Sequence, residues 1–166
     1  LTFMASHELS NERRTIGMIS SKPEFLNTKN ISKNIALPLK IQKFPKQKIF
    51  KLVEQALTQV ELSNKALSYP QSLTPLQKIQ VDLARNLVNH IKILLCDDIF
   101  LGLDQKSSEA LMVLLRKLQK ESNLTIILTT NDAEVIKTLC HNVIVMQLGS
   151  IVEKCSVFDL FTNPTS

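Results

Sequence analysis

An α/β fold with a mostly parallel sheet and a helical subdomain is what this sequence predicts, on three observations. Ile91-Lys92-Ile93-Leu94-Leu95-Cys96-Asp97-Asp98 is a short apolar run closed by two carboxylates, the pattern of a buried parallel strand with acids at its carboxyl end. Leu124 to Thr129 is a second, β-branched run, and Asn142 to Met146 is a third. Segments of helical periodicity lie between them, so the second half reads helix, strand, helix, strand, helix, strand, strand. With 166 residues, 44% of them hydrophobic and 21% charged, the chain fits one globular domain with a sizeable core.

Taken in order, Thr15 to Ser20 reads as a short strand that Ser21-Lys22-Pro23 ends as a loop. Asn34 to Leu39 is a short apolar segment, interrupted by Pro38. From Lys46 to Val60 the apolar residues Ile49, Val53, Ala56, Leu57 and Val60 fall on one helical face. The stretch from about 27 to 72 is therefore mainly helical, a side lobe to the 73–166 region within one 1–166 domain. After the loop Ser68 to Ser72, Thr74 is a good N-cap, Pro75 suits the first helical position and Gln77 completes a capping box. Ile79, Leu83, Ala84 and Leu87 carry on that helix's apolar face. Asp104 caps another helix, with Leu111, Leu114, Leu115 and Leu118 buried. Asp132 to Leu139 is a short helix, Leu148-Gly149-Ser150 a hairpin turn into Ile151-Val152-Glu153, and Ser156 to Phe161 a last helical turn or two. The strands at 15–20, 91–96, 124–129 and 142–147 are expected to share one sheet.

Composition excludes several classes. No window approaches the roughly 18 consecutive apolar residues of a membrane span. The first eight residues, Leu1 to Glu8, lack a basic start followed by a long apolar run, so no secretory leader is expected, and Leu1 is not an initiator methionine, which fits a piece of something longer. Cys96, Cys140 and Cys155 form no C-x-x-C pair and are expected to be buried reduced thiols. His7, His90 and His141 have no metal-ligand spacing. The net charge is +5, with basic density peaking at Lys40, Lys43, Lys46, Lys48 and Lys51. Such a strip suits a solvated face, an anionic membrane surface or nucleic acid. Only Phe44 and Phe50 interleave, so no aromatic stacking module for single strands is visible and nucleic acid is not the expected partner.

In open α/β sheets ligands bind at the carboxyl ends of the strands, which is where Asp97 and Asp98 fall. With Leu103-Asp104 beyond them, the arrangement is the magnesium-and-water end of a P-loop NTPase, the Walker B motif. The three glycines are Gly17, Gly102 and Gly149, and no G-x-x-x-x-G-K-[ST] loop occurs in the sequence.

The residues in hand resemble, in order and along nearly the whole chain, the ATP-binding subunit of an ABC transporter, most of all the methionine-import type. Arg14 to Ile19 is similar to the strand entering the Q-loop, and Asn34 to Leu39 to "N-V-A-L-P-L". Tyr69-Pro70-Gln71-Ser72-Leu73 is similar to the approach to the signature motif, and Val81 to Leu87 to the "V-A-I-A-R-A-L" helix. Leu94 to Asp98 resembles "L-L-C-D-E", Leu101 to Asp104 the D-loop "S-A-L-D", and Thr125 to Asp132 "T-I-x-L-I-T-H-E". Val152-Glu153 and Phe161-Thr162-Asn163-Pro164 resemble the end of the nucleotide-binding domain. The resemblance implies a P-loop-NTPase-like ABC ATPase core using ATP and magnesium, peripheral on the inner face of the cell membrane. It further implies a membrane permease subunit and a homo- or hetero-dimeric ABC ATPase partner.

The departures matter as much. Aligned this way, the chain opens just after the place of the Walker A loop. The Q-loop glutamine position holds Ser21, too short to reach a magnesium ion or attacking water. The signature L-S-G-G-Q becomes Leu73-Thr74-Pro75-Leu76-Gln77: Pro75 has no N–H to offer phosphate, and Leu76 adds a side chain where glycine allows close approach. The catalytic glutamate becomes Asp98, one methylene shorter, and the switch histidine becomes Asn131, which carries no positive charge.

By that resemblance Asp97 is the magnesium ligand, Asp98 and Asn131 are degenerate catalytic positions, and Ser21, Thr74, Pro75, Leu76, Gln77 and Asp104 are degraded nucleotide-binding positions. Plain structural roles compete: a strand-end carboxylate for Asp97 and Asp98, an N-cap for the following helix for Asn131, a helix cap for Asp104, and packing for Arg85. The expected function is that of an ABC ATP-binding subunit, truncated and degenerate, with weak or no ATPase activity. The alternative is a noncatalytic docking module that pairs with a permease or an active partner ATPase. A basic nucleic-acid-associated ABC protein is a third reading, resting on the lysines alone.

Overall fold

The computed structural model describes residues 14–163. They divide between Thr129 and Thr130 into two compact units.

In the first unit, β1 (Ile16–Ser20), β2 (Ile93–Asp97) and β3 (Thr125–Thr129) form a parallel sheet in the order β1-β2-β3. The strands are short and mostly apolar, and more buried and less buried residues alternate along them, as a half-buried sheet requires. β2 runs one residue further than the apolar run suggests, so Asp97 is its last residue. One face of the sheet is sealed: Ile19, Leu94 and Cys96 are buried, together with Ile79 and Leu83 of α4 (Pro75–Leu87) and Leu111, Leu115 and Leu118 of α5 (Gln105–Ser122). The predicted apolar faces of both helices are thus the ones that are buried. On the other face Ile16, Met18 and Ile127 stay exposed.

Gly17 is where α4 and β1 come closest. A Cβ there would lie 2.7 Å from both Asn86 Oδ1 and Ile91 Cδ1. The space left by the missing side chain admits the Asn86 amide, which accepts from Met18 N–H at 3.2 Å and donates to Met18 C=O at 3.1 Å.

Between β1 and α4 the chain is helical: α1 (Ile31–Ile35), α2 (Leu37–Ile41), α3 (Lys46–Gln59) and two single 3₁₀ turns at Ser63–Lys65 and Pro70–Ser72. Pro38 does not break this segment. It sits in the first turn of α2, where no intrahelical N–H bond is required of it. Asn30 caps α1, and Ile31, Ile35, Leu39, Val53, Ala56, Leu57 and Val60 are buried.

The second unit holds α6 (Ala133–Leu139), β4 (Asn142–Gln147), β5 (Ser150–Ser156) and α7 (Val157–Thr162). Here one expectation fails. The 142–147 strand does not join the parallel sheet; it pairs antiparallel with β5 in a two-stranded sheet of its own. The reason is the turn. Leu148 and Gly149 take φ of 49° and 80°, the paired positive angles of a two-residue hairpin loop, which brings the next strand back alongside β4. Pro164, part of the resemblance at the chain's end, lies outside the described residues. The cysteine expectation holds for Cys96 alone, whose thiol burial pushes up to about 12; Cys140 and Cys155 are only half-buried, and all three are free thiols. No helix among the described residues is long and apolar enough to cross a membrane.

Candidate functional site

Parallel pairing places Ser20, Asp97 and Thr129 abreast at the carboxyl end of the sheet. Just beyond β1, the Ser21 N–H donates to Asp97 C=O at 3.3 Å. The Thr129 hydroxyl is central. Its oxygen accepts from Asp98 N–H at 3.0 Å, and it lies 3.1 Å from Asp97 Oδ1 and 3.4 Å from Asp98 Oδ1. One hydroxyl proton therefore serves two carboxylates in turn, and both carboxylates are exposed. Asp98 takes a left-handed φ of 48°, which turns the chain out of the strand into a loop closed by Leu101 N–H on Asp98 C=O and by Gly102 at φ 79°.

The sheet thus brings together Ser21, Asp97 and Asp98, and adds Thr129, which the sequence reading missed. Its only signal was a polar residue closing the 124–129 run. Chemically, this is an open pair of carboxylates suited to a hydrated magnesium ion, which keeps most of its waters and takes one or two carboxylates. No cluster of three or more candidate metal ligands occurs among the described residues.

The remaining positions are closed on themselves. Thr74 Oγ1 accepts from Gln77 N–H at 3.3 Å, and Gln77 Oε1 accepts from Thr74 N–H at 3.1 Å, a reciprocal capping box with Pro75 in the first turn. Lys78 N–H bonds Thr74 C=O. Of the backbone donors from Thr74 to Gln77, two are consumed in the box and Pro75 has none, which leaves only the Leu76 N–H outside the cap. Asp104 accepts from Ser107 N–H at 2.9 Å and from the Ser107 hydroxyl at 2.8 Å. The backbone bond first, then the hydroxyl, holds its carboxyl below the usual range. Asn131 lies in the second unit and is exposed. It is not the N-cap of α6, contrary to the structural alternative. That place belongs to Asp132, whose Oδ1 accepts from Glu134 N–H at 2.8 Å and from Val135 N–H at 3.4 Å. The cap needs an acceptor one residue before the first helical residue, and α6 starts at Ala133 rather than at Asp132.

The loop that follows Ser21 is held from α4. Arg85 Nη2 lies 2.6 Å from Asp82 Oδ1, Nη1 donates to Glu24 C=O at 2.8 Å, and the guanidinium sits 5.4 Å from the Phe25 ring centroid. Asp82 is buried. Burial raises its pKa, and the Arg85 charge and hydrogen bond pull it back down.

Thr74→Ala should cost about 1 kcal/mol in urea unfolding, the usual value of a lost N-cap. Pro75→Gly with Leu76→Gly should also destabilise, because glycine loosens the first turn. Unchanged stability in both variants would contradict the cap.

No family model matches the sequence. The chain is 39% identical over 164 residues to the methionine import ATP-binding protein MetN 1 of Bacillus thuringiensis subsp. konkukian (strain 97-27), covering 99% of this chain and 48% of that protein. It is 37% identical over 164 residues to the methionine import ATP-binding protein MetN of Pasteurella multocida (strain Pm70), again with 99% and 48% covered. The chain spans about half the length of the curated relatives it matches. Among solved structures it superposes on cbiO1 from Clostridium perfringens, described as part of the ABC transporter complex cbiONQ, with a TM-score of 0.88 and 26% identity, covering 96% of this chain and 64% of that one.

Proposed function

Because the chain is a homologue of the ATP-binding subunits of ABC transporters, with methionine-import proteins among its relatives, we propose that it acts as such a subunit with weak or no ATP hydrolysis of its own. The observation that carries the reading is the capping box at Thr74–Gln77. Where the resemblance places a γ-phosphate clamp, the Thr74 and Gln77 N–H groups are spent on the helix itself and Pro75 has none. Asp97 is the residue that would hold magnesium, with Asp98 beside it and Thr129 orienting both. A magnesium ion bound there would supply charge neutralisation at the phosphates, and Asp97 and Asp98 would hold it directly or through its waters. Asp98 is a shortened general base, and a displacement of about an ångström costs on the order of a hundredfold in rate. Partners under this reading are a membrane permease subunit and a second ABC ATPase subunit, with the chain peripheral at the inner membrane face. Its substrate class would be methionine or a related amino acid, selected by other subunits.

The noncatalytic docking reading has its own support. The 27–72 helices keep a full core, while the Thr74–Gln77 start of α4 favours stability over phosphate. Phosphate release from ATP and magnesium by the purified chain tests the hydrolysis reading, and sustained turnover overturns it. Titration with a fluorescent ATP analogue and magnesium tests the weak nucleotide binding expected with it: no saturation is expected at low micromolar nucleotide, and a micromolar dissociation constant, about −8 kcal/mol, contradicts weak binding. Capture of the permease without ATP turnover selects the docking role.

A further inference from the structure

Between Glu24 and Glu54 the sequence contains seven lysines (Lys29, Lys33, Lys40, Lys43, Lys46, Lys48 and Lys51) and no acidic residue or arginine. Five of them fall in the corner formed by α2, its following turn and the first half of α3, and all five are exposed. None of these five is in an ion pair among the described residues, where the pairs are Asp82–Arg85 and Glu61–Lys117. The same corner exposes two large apolar side chains, Ile41 at 73% and Phe50 at 72%. Phe44, half-buried, is engaged: its ring lies 4.7 Å from Lys48 Nζ of α3. An uncompensated charge patch that also shows uncovered apolar side chains is unfavourable in water on both counts, and an anionic lipid surface relieves both.

We propose that this lysine-rich corner, with Ile41 and Phe50, is a docking surface for an anionic lipid bilayer. Two observations favour lipid over nucleic acid. The cations are all lysines, point charges suited to a diffuse field of headgroups, whereas bidentate phosphate recognition in nucleic acids draws on arginine. Ile41 is aliphatic and gives no stacking platform for a base, but it enters the headgroup–acyl boundary as readily as phenylalanine does. No helix among the described residues is long and apolar enough to cross a membrane, so this corner would lie on the bilayer surface. The inference does not rest on the ATP or permease readings, since vesicles of pure lipid hold neither partner.

The test is flotation of the full chain with vesicles of phosphatidylcholine alone and with about a third phosphatidylglycerol, at low salt and at 0.5 M salt. Binding is expected to the anionic vesicles only and to be largely lost at high salt, because exposed charges are screened within a few ångströms there. Replacing Lys43, Lys46, Lys48 and Lys51 by glutamine should weaken binding about fivefold for each lysine removed. Ile41→Ser with Phe50→Ser should weaken it while leaving the salt dependence in place. These positions are exposed, and circular dichroism of each variant checks that the fold persists. Equal binding to neutral and anionic vesicles, or no loss in the glutamine variant, overturns the proposal. So does tight binding to duplex or single-stranded nucleic acid with none to anionic vesicles.

Discussion

Arg85→Ala should destabilise the chain by about 3–5 kcal/mol at neutral pH, because it strands a buried carboxylate. Asp82 is 3% exposed, and its partner at 2.6 Å is the one positive charge that offsets its burial. A total stability of about 5–15 kcal/mol leaves little reserve, so part of the population should unfold at room temperature. The pH dependence identifies the cause. Burial already holds the Asp82 pKa above its ordinary value in the folded chain, and Arg85 is what pulls it down. Removing Arg85 leaves only the raising influence. A carboxyl whose folded pKa exceeds its unfolded one contributes stability that is fully present below the unfolded pKa and is lost as pH rises through the folded pKa. The gap between Arg85→Ala and the parent should therefore be small near the unfolded value of about 4 and widen toward neutrality. Asp82→Asn on top of Arg85→Ala should recover much of the loss, with strong coupling in the double-mutant cycle. A penalty under about 1 kcal/mol at neutral pH, or one independent of pH, would show that the lost Glu24 and Phe25 contacts are all that Arg85 supplies.

Asn34→Ala should cost about 2–4 kcal/mol, at roughly 1 kcal/mol for each hydrogen bond removed. The Asn34 side chain is 1% exposed and fully occupied. Its Oδ1 accepts from Leu26 N–H at 2.8 Å, and its amide N–H groups serve the carbonyls of Leu26, Lys29 and Asn30 at 3.2, 3.0 and 3.0 Å. The Asn34 side chain thus makes four hydrogen bonds to the 26–30 loop, which leads from Ser21 into α1. In Asn34→Asp the carboxylate still accepts from Leu26 but faces three carbonyl oxygens with no proton to give. It should be at least as costly as alanine at neutral pH and milder in acid, where protonation restores one donor. Urea unfolding reads the loss, and limited proteolysis at Lys29 reads the loop, which should be cut faster in both variants. Wild-type proteolysis together with a loss below about 1 kcal/mol would mean that the loop is held by its backbone bonds and by Gln71, whose amide donates to Asn27 C=O at 3.2 Å.

The two positions illustrate what a sequence shows and what it conceals. Asp82 and Arg85 are three residues apart in one helix, and the partners of Asn34 lie within eight residues of it, so both are local along the chain; the longer contacts of the same elements are not. Asn86 reaches Met18 across 68 residues, and Arg85 reaches Glu24 across 61. Thr129 reaches Asp98 across 31, and that contact is what binds the two carboxylates into one site. Such partners follow from strand order and register, which periodicity does not encode.

What the sequence determined by itself is the local chemistry. The capping box at Thr74–Gln77, the Asp104 cap, the apolar faces of α3, α4 and α5 and the tight turn at Leu148-Gly149 each close over a few residues. Hydrogen bonds and side-chain spacing of that range are set by the identities of neighbours along the chain. The capping box also sets the backbone of the signature-like segment, because Thr74, Pro75 and Gln77 commit their groups to the start of the helix they belong to. What only the tertiary structure decided is which strands meet. β4 turned back on β5 and did not extend the parallel sheet, and Asp132 took the cap that Asn131 was a candidate for. Ser21, Asp97, Asp98 and Thr129 became neighbours because three strands, separated by long stretches of chain, align in one register. That choice rests on burying Ile19, Leu94 and Cys96 on one face of the sheet together with the apolar faces of α4 and α5, an energy that belongs to the assembled core and to no single segment.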